Sequence, residues 1–460
     1  MGLVQTGCHA IFGAPMPDPY VPDRLIPVGS GSLAAAITSM PRPLERPRQL
    51  VIDLDSAIEL AAGRSPEIQL ARVRERMAEN TSFAQRFALL PGVTPLFRAF
   101  SHKGQAQPQA ATNVYVTRTN FLAQPVISAR WWPGPVVFEL LASARREDAA
   151  KAATETARQQ ARLEAVEGYF ALVRGYALLT IAKEAVAEAT EQKRYEETLE
   201  ARGAGIRAHV LRATAELADR QQNLVLAQKE VAVGSARLVS VLQLGPEVEL
   251  LPAEIFPTPM VLFPPDENVI DLIEAGFDSR PELREARSEL DARERDREAV
   301  LYGPLSPFVT PLIQTGAFGP SLGNMHFSQD AMVIVGWNIG PGGLLDIPRI
   351  RGSSYALQQQ HLNIDVLKAR IQREVTEAKA KLVAADQSLA AAKEEVEAAN
   401  EYLRLAKDRF AKGATIQLEV LDAERASARA QGRQVEAIAD YNDAQWELLR
   451  ATGGTFEPSR

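Results

Sequence analysis

The chain has 460 residues, 46% hydrophobic and 24% charged, with a net charge of −7. That balance excludes a helical membrane bundle and argues against nucleic acid as the main partner, and a single cysteine, Cys8, excludes an internal disulfide. No run of about 18 apolar residues offers a transmembrane helix, and Met1 to Gly7 lack the charged leader and apolar stretch of a complete signal peptide.

Prolines crowd the start of the chain and the stretches around 91–135, 246–281 and 304–348, and leave two long intervals free. Proline breaks helix interiors, and the free intervals are rich in Ala, Glu, Lys, Arg, Gln and Leu, the strong helix formers. Taken in order, residues 1–50 read as an N-terminal extension. A first structural repeat spans 51–245. It opens with a helix over 54–90 that Pro91-Gly92 ends, followed by strands over 93–101 and 114–127. After Pro133-Gly134-Pro135 a long helix runs to Arg202, the glycines at 203 and 205 break it, and a return helix reaches Leu242. A proline-rich linker, 246–266, leads to a second repeat over 267–453, with residues 454–460 as a tail. The second repeat has the same plan: a helix over 268–301 and strands over 308–319 and 331–339 around a turn at 319–324. A long helix over 350–412 follows, then a break at Gly413 and a return helix to Ala451.

The two repeats share phrases in the same order. Pro66-Glu67-Ile68 returns as Pro281-Glu282-Leu283, Val93-Thr94-Pro95-Leu96 as Val309-Thr310-Pro311-Leu312, and Gly203-Ala204 with Val210-Leu211 as Gly413-Ala414 with Val420-Leu421. A spacing this long marks a duplicated half rather than a solenoid repeat. In the second long helix Val375, Leu382, Leu389, Val396, Leu403 and Phe410 recur every seventh residue. Ala378, Ala385, Ala392, Ala399 and Ala406 fall between them, which is a coiled-coil seam. At 1.5 Å per residue such a helix is a rod of about 95–100 Å. Two shorter helices stacked end to end would match it, so the body must be an elongated bundle or tube. Each strand of about ten residues has the span of a tilted transmembrane strand. Four strands cannot close a barrel, whereas three copies would supply twelve. Trp131, Trp132 and Trp337 lie near strand ends, where an interfacial girdle would need them.

These features resemble the outer-membrane efflux protein family, the TolC-like outer-membrane factors, over about residues 50–453. The resemblance is carried by Arg409-Phe410, Gly413 and Glu419-Val420-Leu421-Asp422-Ala423-Glu424, by Ser65-Pro66-Glu67-Ile68 and Arg280-Pro281-Glu282-Leu283, and by the passage from Val335 to Gly343. It implies a mainly α fold with a small β part. Duplicated helical hairpins would form a trimeric α-barrel, and four transmembrane strands per chain would contribute to a twelve-stranded barrel. It also implies an outer-membrane location with a long periplasmic extension, and service as the exit duct of a tripartite efflux pump or type I secretion system. The partners implied are a homotrimer, a periplasmic adaptor, an inner-membrane transporter reached through it, and outer-membrane lipid. The cargo would be small molecules, metal ions or polypeptides.

By the same resemblance Gly203, Ala204, Gly413 and Ala414 are the adaptor-docking tips, and Glu419 and Asp422 are the carboxylates of the entrance constriction. Those two lie three residues apart on one helix face. Cys8, after Thr6-Gly7, is a candidate lipidation site; either the chain start is truncated or this cysteine is incidental. The first tip departs from the family pattern: Leu199 and Glu200 stand where an Arg and an aromatic are usual, and His209 stands where an acid is common. Thr415 occupies the place of a gate-linking arginine. Five scattered histidines give no metal-ligand spacing, and no phosphate loop or nucleophile motif is present, so neither an enzyme nor a cofactor is expected. The competing reading is an elongated coiled-coil scaffold of the cell envelope with no pore.

Overall fold

The two proline-free intervals fold as two helical hairpins. In the computed structural model, which describes residues 48–106 and 114–454, α3 (Pro133–Ala201) returns as α4 (Arg207–Val241), and α7 (Ile347–Ala411) returns as α8 (Gln417–Ala451). Cys8 and residues 455–460 lie outside the described residues. With 69 and 65 residues, the two long helices are each about 100 Å in length. One stretch of α3 is apolar enough by composition to cross a membrane, but more than half of it is buried against the chain's own helices. It is part of the core.

The helix expected over 54–90 is two helices, α1 (Leu54–Arg64) and α2 (Pro66–Phe87). The one expected over 268–301 is likewise α5 (Val269–Ser279) and α6 (Pro281–Leu301). Each break falls at the proline of the repeated Pro-Glu phrase. Proline has no N–H to donate and pushes the preceding residue out of the α region, so it starts a helix more readily than it continues one. Ser65 and Arg280 accordingly have extended ψ values of 126° and 127°. Asp53 caps α1 through the Ser56 amide, and Asn268 caps α5 through that of Ile270. At the second break Arg280 turns inward, buried, and donates to Glu374 of α7 at 2.6 Å and to Glu282 at 3.2 Å.

Among the described residues two large apolar cores follow, one per repeat, with a small third cluster of Leu179, Ala227 and Val231 between α3 and α4. The first gathers Leu163, Val166, Leu172, Leu238, Leu242 and Leu250 with Ile52 and Ile58. The second gathers Leu272, Leu283, Ile371, Val375, Leu382 and Leu448. The heptad seam of α7 is the second core's spine. Its alanine positions are buried, and Ile364 and Ile371 extend that register toward the helix start. The repeats interlock: α6 packs between α3 and α7, and α8 contacts α3, with Trp446 entering the first core. Within α3, Gly168 and Gly175 admit α4 closely. A β-carbon at Gly168 would sit 3.0 Å from Leu238, and one at Gly175 3.3 Å from Val231.

A short sheet not anticipated from the sequence joins β1 (Arg48–Ile52) to β4 (Val248–Pro252) at the start of the proline-rich linker. The rest of that linker is stitched to α8 by two fully buried amides. Asn442 accepts from Met260 N–H at 2.8 Å and donates to the Thr258 carbonyl. Gln445 accepts from Leu262 and Phe263 N–H and donates to the Phe263 carbonyl.

The four anticipated strands form one antiparallel sheet in the order β2 (Gly92–Ala106), β3 (Val114–Ser128), β5 (Phe308–Ser321), β6 (Asn324–Gly336). At 13 to 15 residues they are longer than expected. The turn expected over 319–324 tightens to Leu322-Gly323, with Ser321 opposite Asn324.

Candidate functional site

The sheet's register sorts its side chains onto two unlike faces, because successive residues of a strand point to opposite sides. Val93, Pro95, Phe97 and Ala99 pair with Ile127, Pro125, Ala123 and Phe121. Ile127 and Ala123 pair onward with Ile313 and Ala317, and those with Ala331 and Phe327; Val309 and Pro311 meet Val335 and Val333. This face is apolar from strand to strand, and Val93, Phe97, Phe327, Val333 and Val335 are each more than half exposed. The opposite face carries Arg98, His102, Arg118, Asn120, Gln124, Gln314, His326 and Asp330 among its apolar residues, with Gln124 donating to Gln314 at 2.6 Å. The span from Phe327 to Val335, interrupted on this face by Gln329 opposite Thr315, measures about 27 Å along the strand, or roughly 20 Å in height at a usual barrel tilt. β2 and β6 are its free edges among the described residues.

Tryptophans mark the end of the sheet nearest the helices. The indole N–H groups of Trp131, Trp132 and Trp337 donate to the carbonyls of Leu89, Ser306 and Leu305 at 2.9, 3.0 and 3.2 Å. Arg130 lies over the rings of Trp132 and Phe308. The apolar body of each ring is thereby held at a fixed height beside a satisfied polar group.

The other end of the long helices is built from two glycine turns. Gly203 has φ +72° and Gly413 φ +66°, the left-handed region in which a β-carbon is strained. At each, the glycine N–H bonds back three residues and the following alanine N–H five: Gly203 to Glu200 and Ala204 to Leu199, Gly413 to Phe410 and Ala414 to Arg409. This is the Schellman arrangement that satisfies the last helical carbonyls. Nothing lies within 4 Å of either missing β-carbon, so both turns face open space.

Around these turns the charges are paired with opposite polarity. In the second repeat the base is on the long helix and the acid on the return helix: Arg409 donates to Glu419 at 2.8 Å, and the Thr415 hydroxyl donates to the same carboxylate. In the first repeat the acid is on the long helix, with buried Glu196 3.8 Å from His209 and Glu200 3.7 Å from Arg207. Two of the residues at which the first tip departs from the family pattern, Glu200 and His209, take part in this reversed arrangement. Asp422 is more open, its side chain 55% exposed and 3.8 Å from Arg425.

A further contact, between the two repeats, has no counterpart in the sequence reading. Glu216 of α4, with a side chain only 6% exposed, accepts from Arg220 at 2.8 Å and from both Nε and Nη2 of Arg425 on α8. The Arg425 hydrogen bond holds the Glu216 carboxyl below the usual carboxylate range. Glu216 and Arg425 lie thirteen and twelve residues past their tip glycines, so opposite charges at nearly equivalent repeat positions were the available signal. Nearby, burial raises the carboxyl of Glu424, which faces Lys407 at 3.3 Å.

Residues 349–454 match the family model of the outer membrane efflux protein. That match covers α8 and nearly all of α7, the hairpin holding the second tip. No curated protein sequence matches the chain. The whole fold is similar to those of solved outer-membrane channels. Against the outer-membrane channel OprN the TM-score is 0.73 at 21% identity, covering 88% of this chain and 91% of that one. Against the CmeC outer membrane channel of Campylobacter jejuni it is 0.74 at 16% identity, covering 88% and 87%. Against the outer membrane protein VceC of Vibrio cholerae it is 0.72 at 19% identity, covering 88% and 97%. The chain therefore has the fold of this channel class from its strands to its tips, and the resemblance read from Arg409 to Glu424 falls inside the efflux-protein match.

Proposed function

We propose that this chain is one third of a trimeric exit duct in the outer membrane, passive in itself, with its helical body reaching through the periplasm. The observation that carries the reading is the four-stranded sheet. One face is mainly apolar and exposed over roughly the height of a membrane barrel's apolar band, the other mixes charged and polar side chains with apolar ones, and both edges are unpaired among the described residues. Exposed strand edges and an uncovered apolar face are both costly in water. Three copies joined edge to edge remove the edges, turn the apolar faces to lipid and enclose the polar ones around a lumen. The six glycine tips of such a trimer would dock a periplasmic adaptor through Gly203-Ala204 and Gly413-Ala414. The adaptor would connect the duct to an inner-membrane transporter. Glu419 and Asp422, beside the second tip, would supply the carboxylates of the entrance. The test is native mass in detergent together with conductance in a planar bilayer. A particle of three chains that opens ion-conducting pores is expected; a water-soluble monomer with no conductance would sink the reading.

A further inference from the structure

The two strand-to-helix connections are not equivalent. Residues 129–132 join β3 to α3, whereas the longer run 337–346 joins β6 to α7. The longer connection is bonded to itself. Leu344 N–H donates to the Asn338 carbonyl at 2.8 Å, Gly340 N–H to Leu344 at 2.8 Å, Gly343 N–H to Gly340 at 2.9 Å, and Ile347 N–H to Leu345 at 2.9 Å. Its one acid, Asp346, is used internally, accepting from Gly342 N–H at 2.7 Å and Arg349 N–H at 3.3 Å. While these polar groups face one another, the apolar side chains face out. Ile339 is 70% exposed, Leu345 77%, Trp337 56% and Ile347 54%.

Leu345 holds φ +68°, a conformation where glycine or asparagine is at ease and leucine is not. Strain in a leucine that touches almost nothing within its own chain points to a contact outside it. The parity of β6 gives the direction: Val333 and Val335 lie on the sheet's apolar face, and Trp337 and Ile339, just past its last paired residue Gly336, keep the same alternation in sequence. Just past the loop, Arg349 and Arg351 are exposed in the first turns of α7 and form no ion pair among the described residues. Cations at a helix N-terminus oppose its dipole, so an external anion would relieve both.

We propose that residues 337–347 form a wedge that seats in the periplasmic-side interface of the bilayer, with Trp337, Ile339, Leu345 and Ile347 at the acyl boundary and Arg349 and Arg351 on phospholipid phosphates. Each backbone group bonded inside a loop lowers the cost of entering that zone, and here the N–H groups of Gly340, Gly342, Gly343, Leu344 and Ile347 are bonded within the connection. Aromatic and basic residues are the usual interfacial anchors. The first repeat has no such loop, so a trimer would carry three wedges rather than six. The inference rests on the outer-membrane reading above.

The test uses the full chain in a Cys8→Ser background, reconstituted into vesicles of phosphatidylethanolamine and phosphatidylglycerol. Spin labels are placed on Leu345→Cys, Ile339→Cys, Val335→Cys on the sheet and Lys412→Cys at the tip. Each label is assayed for collision with oxygen, which concentrates in lipid, against a water-soluble nickel chelate. Labels at 339 and 345 are expected to favour oxygen as the one at 335 does, with the order reversed at 412. If 335 favours oxygen but 339 and 345 favour nickel, the wedge is overturned and the duct stands. If 335 also favours nickel, the duct reading fails and the wedge fails with it.

Discussion

Gln445 shows how a single side chain can fix a segment with no regular structure of its own. Its amide meets the backbone of Leu262 and Phe263, and its Nε2 also donates to the Tyr441 hydroxyl at 2.9 Å. Gln445→Leu would keep the volume and orphan two backbone donors, at about 1–3 kcal/mol for each group left buried without a partner. We expect a clear fall in the thermal midpoint of the detergent-solubilised protein; an unchanged midpoint would mean the linker is held elsewhere. Asp443, two residues earlier on the same helix, has a different electrostatic setting. Burial first, and Glu167 second, push its carboxyl from 3.8 up to about 7. Below the lower value it is protonated folded or unfolded. Between the two only the folded form keeps the proton, so stability falls as pH rises, by at most about 1.4 kcal/mol per unit. Asp443→Asn should therefore raise the melting temperature above pH 7 and lose that advantage toward pH 4, and a pH-independent gain would remove the assignment. Neither residue was legible in the sequence. A polar residue in an alanine-rich helix reads as solvated unless its partner is known, and the linker backbone that Gln445 serves lies 182 residues away.

At the scale of elements, what could be read was whatever repeats over a short span. The seven-residue seam of α7 needs only its own helix to be visible; its alanines are buried along the whole run, while of the large residues Val375 and Leu382 are buried and those from Leu389 to Phe410 half-buried. The strands were legible from alternation and turn residues; β3 was read almost whole, whereas β2 was cut short where His102, Lys103 and Gln105 follow, and β6 was missed over Asn324, His326, Ser328 and Asp330, because these polar ends lack an apolar alternation. The breaks at Pro66 and Pro281 were written in the sequence, but the helical composition on both sides masked them. The β1–β4 pairing was not legible, since two five-residue strands some 200 residues apart carry too little pattern. The sheet's two faces give the sharpest test at this scale. Val333 and Met332 are neighbours on β6, both exposed and both apolar, on opposite faces. An arginine on the lipid side of a barrel costs about 2–4 kcal/mol at mid-depth, and one on the lumen side far less. Val333→Arg should reduce the assembled membrane fraction while Met332→Arg leaves it intact, and equal effects would contradict the face assignment.

For the whole molecule, duplication makes three chains look like six hairpins, but the tips are two kinds. Polarity reverses between Arg409–Glu419 and Glu200–Arg207, and the Glu216–Arg425 contact ties one kind to the other within a chain. A trimer's entrance would thus be lined by alternating hairpins, with the acids of α8 contributed by three of the six. The two candidate entrance residues then part company. Glu419 is compensated by Arg409 and Thr415, so its removal uncovers a cation as well as deleting an anion. Asp422, more than half exposed and only loosely approached by Arg425, presents more of its charge to the opening. Asp422→Asn should lower cation selectivity and weaken block by a trivalent cation in single-channel recordings. Glu419→Gln should have the smaller effect on block, because much of that charge is already matched. Stability should barely change in Asp422→Asn, since an ion pair this exposed contributes only about 0.2–1 kcal/mol, and should fall more in Glu419→Gln, whose partly buried carboxylate accepts from both Arg409 and Thr415. If block is as strong in the double variant as in the parent, these carboxylates are a solvated helix face and the entrance lies elsewhere on the tips.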